Sequence, residues 1–515
     1  MPVNNMRILS INVIACAAFL IACSDANAQA TSGPITADGG FTSTPVRECQ
    51  SDLRYFNHLS GWQAGWPARW EAIVAGDGDD LQGAIELWST APHALEELRN
   101  ALQRGIENDE TASRVVVARV YQQVRDLSGS LGAEDPRYYF AKDPAAVDTA
   151  RWNQQMTELI APAIESFAAY LQKTYLPAAN PVPGLAGMKD GAACFKHAAA
   201  WWTTLDLTPE EIERAGTRLL NETRAELLET ALSGEDFDDV IARLRTRQAH
   251  DETTQAQIME ISEAAIARAM ERADEVFTMP SLNGVVVEAL PAHLQASSPA
   301  GFYRAEQNGR SAAYILNPSR PGERRLMAEA IAFHETVPGH HLFFEYPRDP
   351  SEYPFNAGIV EGWAIYAEYL ADEMQLYSSA LDRQGMIAKH LWAASRLVVE
   401  PGLHLRGWSR DEAIDFMSEN TALSRTEIEI EVDRYLALPG QSLSYMLGAD
   451  LILNERRCAK KTLGDGFDIR EFHDVVLAAG VRPLPIVQHD IRAWVASRAP
   501  ATVLRPAHCE RAPPE

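Results

Sequence analysis

The sequence is poor in positive charge: 46 Lys and Arg stand against 71 Asp and Glu, a formal net charge of -25. Phosphate binding needs clustered Lys and Arg, so nucleic acid is excluded as a partner. The acidity reads as a solubilising surface. Cysteine is also scarce, six in 515 residues, and no two stand at zinc-motif spacing, which excludes a cysteine metal site. There is no Gly-rich phosphate loop and no G-x-S-x-G elbow, so P-loop nucleotide chemistry and the serine-hydrolase elbow drop out as well. No internal repeat is present.

What is there begins with a targeting segment. Arg7 is followed by the apolar run Ile8–Ala22, too short to span a bilayer as a mature helix but fitting a signal-peptide core. It ends in Leu20-Ile21-Ala22-Cys23, which resembles a bacterial lipobox. On that reading residues 1–23 are the signal segment, and a lipidated Cys23 attaches the protein to a membrane. Ordinary cleavage after the A-x-A pattern Ala26-Asn27-Ala28 stays open. Both readings place the protein in the periplasm or cell envelope. In that oxidising compartment Cys49, Cys194, Cys458 and Cys509 are able to pair, and sequence does not choose the connectivity.

Residues 24–45 are rich in Ala, Ser, Thr, Gly and Pro and read as a flexible tether. Residues 46–500 read as a mainly α domain, large and two-lobed, with a helical lobe to about 280 and a second lobe from 281; 501–515 is a tail. Long Ala/Leu/Glu-rich periodic segments, such as Pro209–Ser233 and Glu252–Glu275, carry the first lobe. Between about 280 and 320 the texture changes. Val285-Val286-Val287 and Ser311–Asn317 are short β-prone runs bounded by Gly and Pro, and predict a small hairpin or edge strand. Helices resume from 322 to 497, one of them ending near 399, before the Pro401-Gly402 turn that precedes His404.

Leu326–Phe333 is nearly all apolar and predicts a buried helix, with His334 and Glu335 at its end. Ionisable groups there are costly unless paired or bound to a metal. The segment His334-Glu335-Thr336-Val337-Pro338-Gly339-His340-His341 is close to the H-E-x-x-H zincin motif, whose two His bind zinc from one helical face while the Glu acts as base. It also breaks that motif. Pro338 occupies the ligand position, and Pro disfavours helical geometry at Val337. In an unbroken helix His340 would lie about 240° around from His334, and His341 about 10 Å further along the axis. A metal site therefore requires the helix to break after Glu335, with Gly339 supplying backbone freedom.

The motif H-E-x-x-P-G-H-H, followed by Glu361-Gly-Trp-Ala-Ile-Tyr-Ala-Glu368, resembles the family catalogued as domain of unknown function 885 (DUF885), which looks like a divergent branch of the gluzincin metallopeptidases. Arg396–His404, Arg434-Tyr435, Pro439–Tyr445 and Phe472-His473-Asp474 continue the resemblance, which covers roughly residues 50 to 498. Glu400-Pro401 departs from it, since an Asp followed by a small or polar residue is expected there.

The resemblance implies Zn2+ held by His334, His340 and Glu361, with His341 the alternative to His340. It makes Glu335 the general base, Tyr445 the oxyanion donor with Tyr435 as runner-up, and Glu368 a partner orienting a ligating His. Arg434 and His404 are candidate substrate contacts, each with a bland reading beside it: a helix salt bridge and a packed histidine. The strand Ser311–Asn317 is a candidate for pairing with an extended peptide substrate. The remaining histidines, His390 among them, receive no role. The implied activity is a zinc-dependent peptidase. A zinc amidohydrolase on a small non-peptide amide and an inactive envelope-binding lipoprotein are the alternatives. The mode of cleavage and the oligomeric state are not readable from the sequence.

Overall fold

The computed structural model describes residues 56–499, apart from 60, 64–87, 131–152, 279–281, 291–294, 296–298, 307–310, 348–352, 354 and 479. The signal segment, Cys23, the tether and the tail lie outside the described residues.

The protein is mainly helical. Its first half holds α1 (Ala91–Glu107), α2 (Arg114–Ser130), α3 (Ala161–Tyr170), α4 (Gly191–Thr203), α5 (Pro209–Leu228), α6 (Phe237–Ala249) and α7 (Gln255–Arg272). A small sheet follows: β1 (Val286–Ala289), β2 (Gly301–Arg304) and β3 (Ala313–Leu316). The second half holds α8 (Pro321–Arg325), α9 (Ala328–Glu335), α10 (His340–Glu345), α11 (Ala357–Glu373), α12 (Ala380–His404), α13 (Arg410–Asn420), α14 (Arg425–Ala437), α15 (Leu443–Leu463), α16 (Ile469–Leu477) and α17 (Leu484–Arg498).

Local sequence explains most helix starts. Thr208 and Glu211 form a reciprocal capping box before α5, as do Asp236 and Asp239 before α6 and Ser409 and Glu412 before α13. Asn356 caps α11 by accepting from the Ile359 amide at 3.2 Å. Apolar residues from Phe56 to Val495 form one large core cluster, and Leu290, Ala313 and Ile315 form a second, small one in the sheet. Cys194 is disulfide-bonded, and no described helix is long and apolar enough to cross a membrane.

Two expectations need correction. The sheet order is β1-β3-β2, with β3 parallel to β1 and antiparallel to β2. The run Ser311–Asn317 therefore forms the central strand. Both its edges are paired, so it has no ladder left to offer a substrate. Its all-buried pattern, against the exposed pattern of β1, reflects that central place. Second, α12 runs through Pro401 to His404, where a turn was expected. Gly402 stays in the helix and packs so close to Trp408 that a Cβ would stand 2.5 Å from the indole.

What positions the site is the packing of four helices. Helix α9, which ends in His334 and Glu335, lies among α7, α11 and α12, with β2 alongside, and every residue of α9 is buried. Helices α11 and α15 approach through glycines: a Cβ on Gly448 would stand 2.1 Å from the Gly358 carbonyl oxygen, and one on Gly362 2.5 Å from the Gly448 Cα. Removing a mid-helix Gly gains about 1 kcal/mol in propensity, but forcing a methyl against a backbone oxygen costs about 1–3 kcal/mol or more. Gly448→Ala is expected to lower the urea midpoint of unfolding, and a midpoint at or above wild type would contradict this packing.

Candidate metal centre

The break expected after Glu335 is present. Thr336 leaves helical geometry at φ -124°, ψ -106°, and its hydroxyl donates back to the Ala332 carbonyl at 2.6 Å. The Val337–Pro338 peptide is cis. The Gly339 amide returns to the Phe333 carbonyl at 3.0 Å, the Leu342 amide bonds the Thr336 carbonyl at 3.2 Å, and α10 begins at His340. The Pro338 carbonyl accepts from Trp363 Nε1 on α11 at 2.9 Å. That bond ties the break to the helix carrying Glu361. The reason for glycine at 339 differs from expectation. Its φ is -81°, so a left-handed backbone is not the requirement. Space is: a Cβ would stand 2.0 Å from the His334 carbonyl oxygen and 2.4 Å from that of Phe333.

Across the break His334 and His340 face each other, ring centroids 4.8 Å apart at 78°. Glu361 Oε2 lies 3.4 Å from His334 Nε2 and 3.5 Å from His340 Nε2. Glu335 Oε2 stands 4.0 Å from His340 Nε2. Ligand atoms of His334, Glu335 and His340 all lie within 4.8 Å of one another. By distance, Glu361 is the carboxylate central to both imidazoles and Glu335 stands to one side. Burial works against the Glu361 carboxylate, but the two imidazoles hold its pKa well below the usual range. His341 faces away. Its Nδ1 meets the Tyr303 hydroxyl at 3.1 Å and its Nε2 the Asn283 carbonyl at 2.8 Å, so neither nitrogen is left for a metal.

Behind His334 lies a network that the sequence showed only in part. Glu368, fully buried, accepts from His334 Nδ1 at 2.7 Å. The same Oε1 accepts from the Lys389 ammonium at 2.5 Å. His390 Nε2 lies 3.2 Å from Glu368 Oε2, so this histidine is part of the surroundings of the site. Burial opposes charge on Glu368, but Lys389 and His334 keep its pKa low. Lys389 was missed because only distant residues reveal its purpose. The one available signal was a Lys-His pair inside an otherwise apolar helix face.

Tyr445, in the first turn of α15, stacks on His334 with ring centroids 6.1 Å apart at 15°. The Arg396 guanidinium sits over the other aromatic partners of this corner, 4.5 Å from the Tyr445 ring centroid and 4.2 Å from that of Trp392. The Tyr435 hydroxyl accepts from Trp392 Nε1 at 3.0 Å and Arg396 Nε at 3.2 Å, which commits it to this support and leaves Tyr445 as the tyrosine at the cluster.

Two substrate-contact expectations do not survive. Arg434 spends its fork on Glu431, at 3.1 and 2.8 Å, and on Gln441 Oε1 at 2.5 Å. Its helix-salt-bridge reading holds. His404 is fully buried and stacked on Phe195, and both its nitrogens are used, by the Leu185 amide at 3.1 Å and the Tyr435 carbonyl at 3.2 Å. Burial lowers its pKa to about 4, so it is a neutral packed histidine. Glu400 is also structural: it accepts from the Gly440 amide at 2.8 Å and the Ser442 hydroxyl at 2.7 Å, shaping the loop before Tyr445. A largely apolar cavity lined by Phe56, Val116, Leu185, Met188, Trp202 and Leu436, among others, contains none of the cluster residues.

The cluster fits a metal ion on two grounds. Glu335 Oε2 and His340 Nδ1 are buried without a hydrogen-bond partner among the described residues, which is costly for polar atoms. The charge is also unbalanced. Glu335, Glu361 and Glu368 are buried beside two imidazoles, and Lys389 is the one Lys or Arg bonded to them among the described residues. A divalent cation would restore neutrality, and imidazole nitrogens with a carboxylate are a donor set that suits zinc.

His340→Ala is expected to lose bound divalent metal and His341→Ala to keep it, measured by metal content after gel filtration; the reverse pattern would exchange the two assignments. Trp363→Phe leaves the Pro338 carbonyl buried without its donor, which should cost about 1–3 kcal/mol. It is expected to lower both stability and metal content, and a variant matching wild type in both would remove the tie between α11 and the break.

No curated protein matches the chain. In fold it is similar to a candidate lipoprotein from Colwellia psychrerythraea, at 22% identity and TM-score 0.78, covering 86% of this chain and 81% of that one. It is also similar to a candidate lipoprotein of unknown function from Shewanella oneidensis, at 14% identity and TM-score 0.64, covering 92% and 88%. The family model described as a bacterial protein of unknown function (DUF885) matches residues 24–491, and the protein belongs to that family.

Proposed function

We propose that the protein is an exported zinc metallopeptidase. The observation that carries this reading is that His334 Nε2 and His340 Nε2 each lie within 3.5 Å of Glu361 Oε2, with Glu335 beside them. Two imidazoles and one carboxylate make a three-ligand set that leaves a further position open, the pattern of catalytic and not structural zinc sites. When bound, the metal supplies Lewis acidity, lowering the pKa of a water from 15.7 to roughly 7 and polarising a carbonyl.

The chain's own residues supply the rest. Glu335 presents an oxygen with no hydrogen-bond partner among the described residues. From there it takes the proton of the attacking water and passes it to the leaving nitrogen. Tyr445, held between His334 and Arg396, donates its hydroxyl proton to the oxyanion that develops on the carbonyl. The tight helical packing around α9 shields this corner from bulk water, which strengthens each electrostatic contact. Export rests on the signal segment. The disulfide at Cys194 fits an oxidising compartment, and the lipoprotein-like relatives in fold fit attachment through Cys23.

The test is metal content and cleavage of a peptide mixture for wild type and Glu335→Gln. Wild type should carry about one zinc per chain and cleave. Glu335→Gln should keep the zinc and lose roughly 10²–10⁴ in rate, the share of a positioned base. A wild type that takes up no zinc, or a variant that cleaves as well as wild type, sinks the reading.

A further inference from the structure

The two imidazoles of the cluster are held unequally. His334 Nδ1 has a carboxylate behind it at 2.7 Å, whereas His340 Nδ1 has no hydrogen-bond partner among the described residues. The orientation of the centre therefore depends on the His334 side, and that side depends on Glu368. Glu368 is fully buried, and its second oxygen has no hydrogen-bond partner among the described residues. What fixes the carboxylate is Lys389, whose Nζ stands 2.5 Å from the oxygen that His334 uses and 3.2 Å from His334 Nδ1 itself.

Resting on the zinc-site reading, we propose that Lys389 is a positioning residue of the metal centre: its ammonium pins Glu368 Oε1, Glu368 thereby accepts the hydrogen bond of His334 Nδ1–H, and His334 is left with Nε2 turned to the metal. The distances favour this order, since the shared oxygen is nearer to His334 Nδ1 than the ammonium is. A carboxylate only accepts and an ammonium only donates, so Lys389 and His334 both donate hydrogen bonds to the shared oxygen, and the lone pair of a neutral His334 falls on Nε2. Among the described residues Glu368 Oε1 is the nearest acceptor to the buried lysine, which lies on α12, and α12 packs directly on α9. Without the ammonium the carboxylate is free to rotate toward His390, 3.2 Å from its other oxygen, and His334 loses its fixed orientation.

A purely electrostatic role predicts the opposite outcome. A fixed positive charge repels a dication, so its removal alone would tighten metal binding. Loss of a partner that orients a ligand instead weakens binding, typically by about 10–100-fold. The two readings therefore differ in sign.

The experiment titrates chelator-treated protein with Zn2+, and with Co2+ followed by its visible spectrum, for wild type, Lys389→Met and Lys389→Arg. Lys389→Met should bind zinc about 10–100-fold more weakly with an altered cobalt spectrum. Lys389→Arg, which keeps charge and donors, should recover most of the affinity. Zinc binding by Lys389→Met that equals or exceeds wild type overturns the proposal. If Lys389→Met does not fold, the double variant Glu368→Gln/Lys389→Met removes both buried charges. It should also bind at least tenfold more weakly, and wild-type affinity there overturns the proposal too. A wild type that binds no zinc is a failure of the site reading itself and is seen before any variant is compared.

Discussion

Three carboxylates are shut away from water around the same two imidazoles, and their repulsion is what the surrounding structure has to offset. Two unit charges about 4 Å apart repel by about 4 kcal/mol at an effective dielectric of 20, and each buried ion forgoes several kcal/mol of hydration. Fully burying an Ile or Phe stabilises by about 1.5–3 kcal/mol, so Ile331 and Phe333 alone do not hold the end of α9 in place. The charges have to be matched where they stand. Lys389 matches one of them, the imidazoles hold Glu361, and Glu335 has an oxygen with no hydrogen-bond partner among the described residues. That unmatched charge is what makes the cluster fit a cation.

The same constraint explains the backbone. A regular helix would send the second histidine away from the first. The chain instead stops α9 at Glu335 and restarts at His340, and the stop is stabilised from outside: Thr336 caps it and Trp363 takes up the Pro338 carbonyl. Trp363 belongs to the same helix as Glu361 and Glu368. One helix therefore delivers the carboxylate facing the imidazoles, the carboxylate behind them and the donor that holds the break open. The glycine contact of α11 with α15 brings Tyr445 to the same corner.

The neighbouring histidines divide the work. His340 faces the cluster, while His341 bonds the Tyr303 hydroxyl on β2 and the Asn283 carbonyl, so it fastens the small sheet to α10. Arg396, Arg434 and Glu431 form a charged support under the aromatic corner of Trp392, Tyr435 and Tyr445. Burial works against the Glu431 carboxylate, but Arg434 and Arg396 keep its pKa below the usual range. Side chains that resemble substrate contacts in sequence serve here to support this aromatic corner.

By itself the sequence determined the mainly helical class, the starts of helices such as α5, α6 and α13, and the need for a break between Glu335 and His340. Each of these follows from local rules: capping residues, periodicity, and the inability of Pro338 either to ligate or to continue a helix. Only the tertiary structure decided the rest. That His340 and not His341 meets Glu361, that Gly339 answers to space and not to φ, that β3 is central, that His404 is packed, and that Lys389 stands behind Glu368 all depend on groups tens to hundreds of residues away. Local spacing states which way a side chain leaves its own helix. It does not state what the packing places in front of it, and in a buried polar cluster that neighbour sets the role.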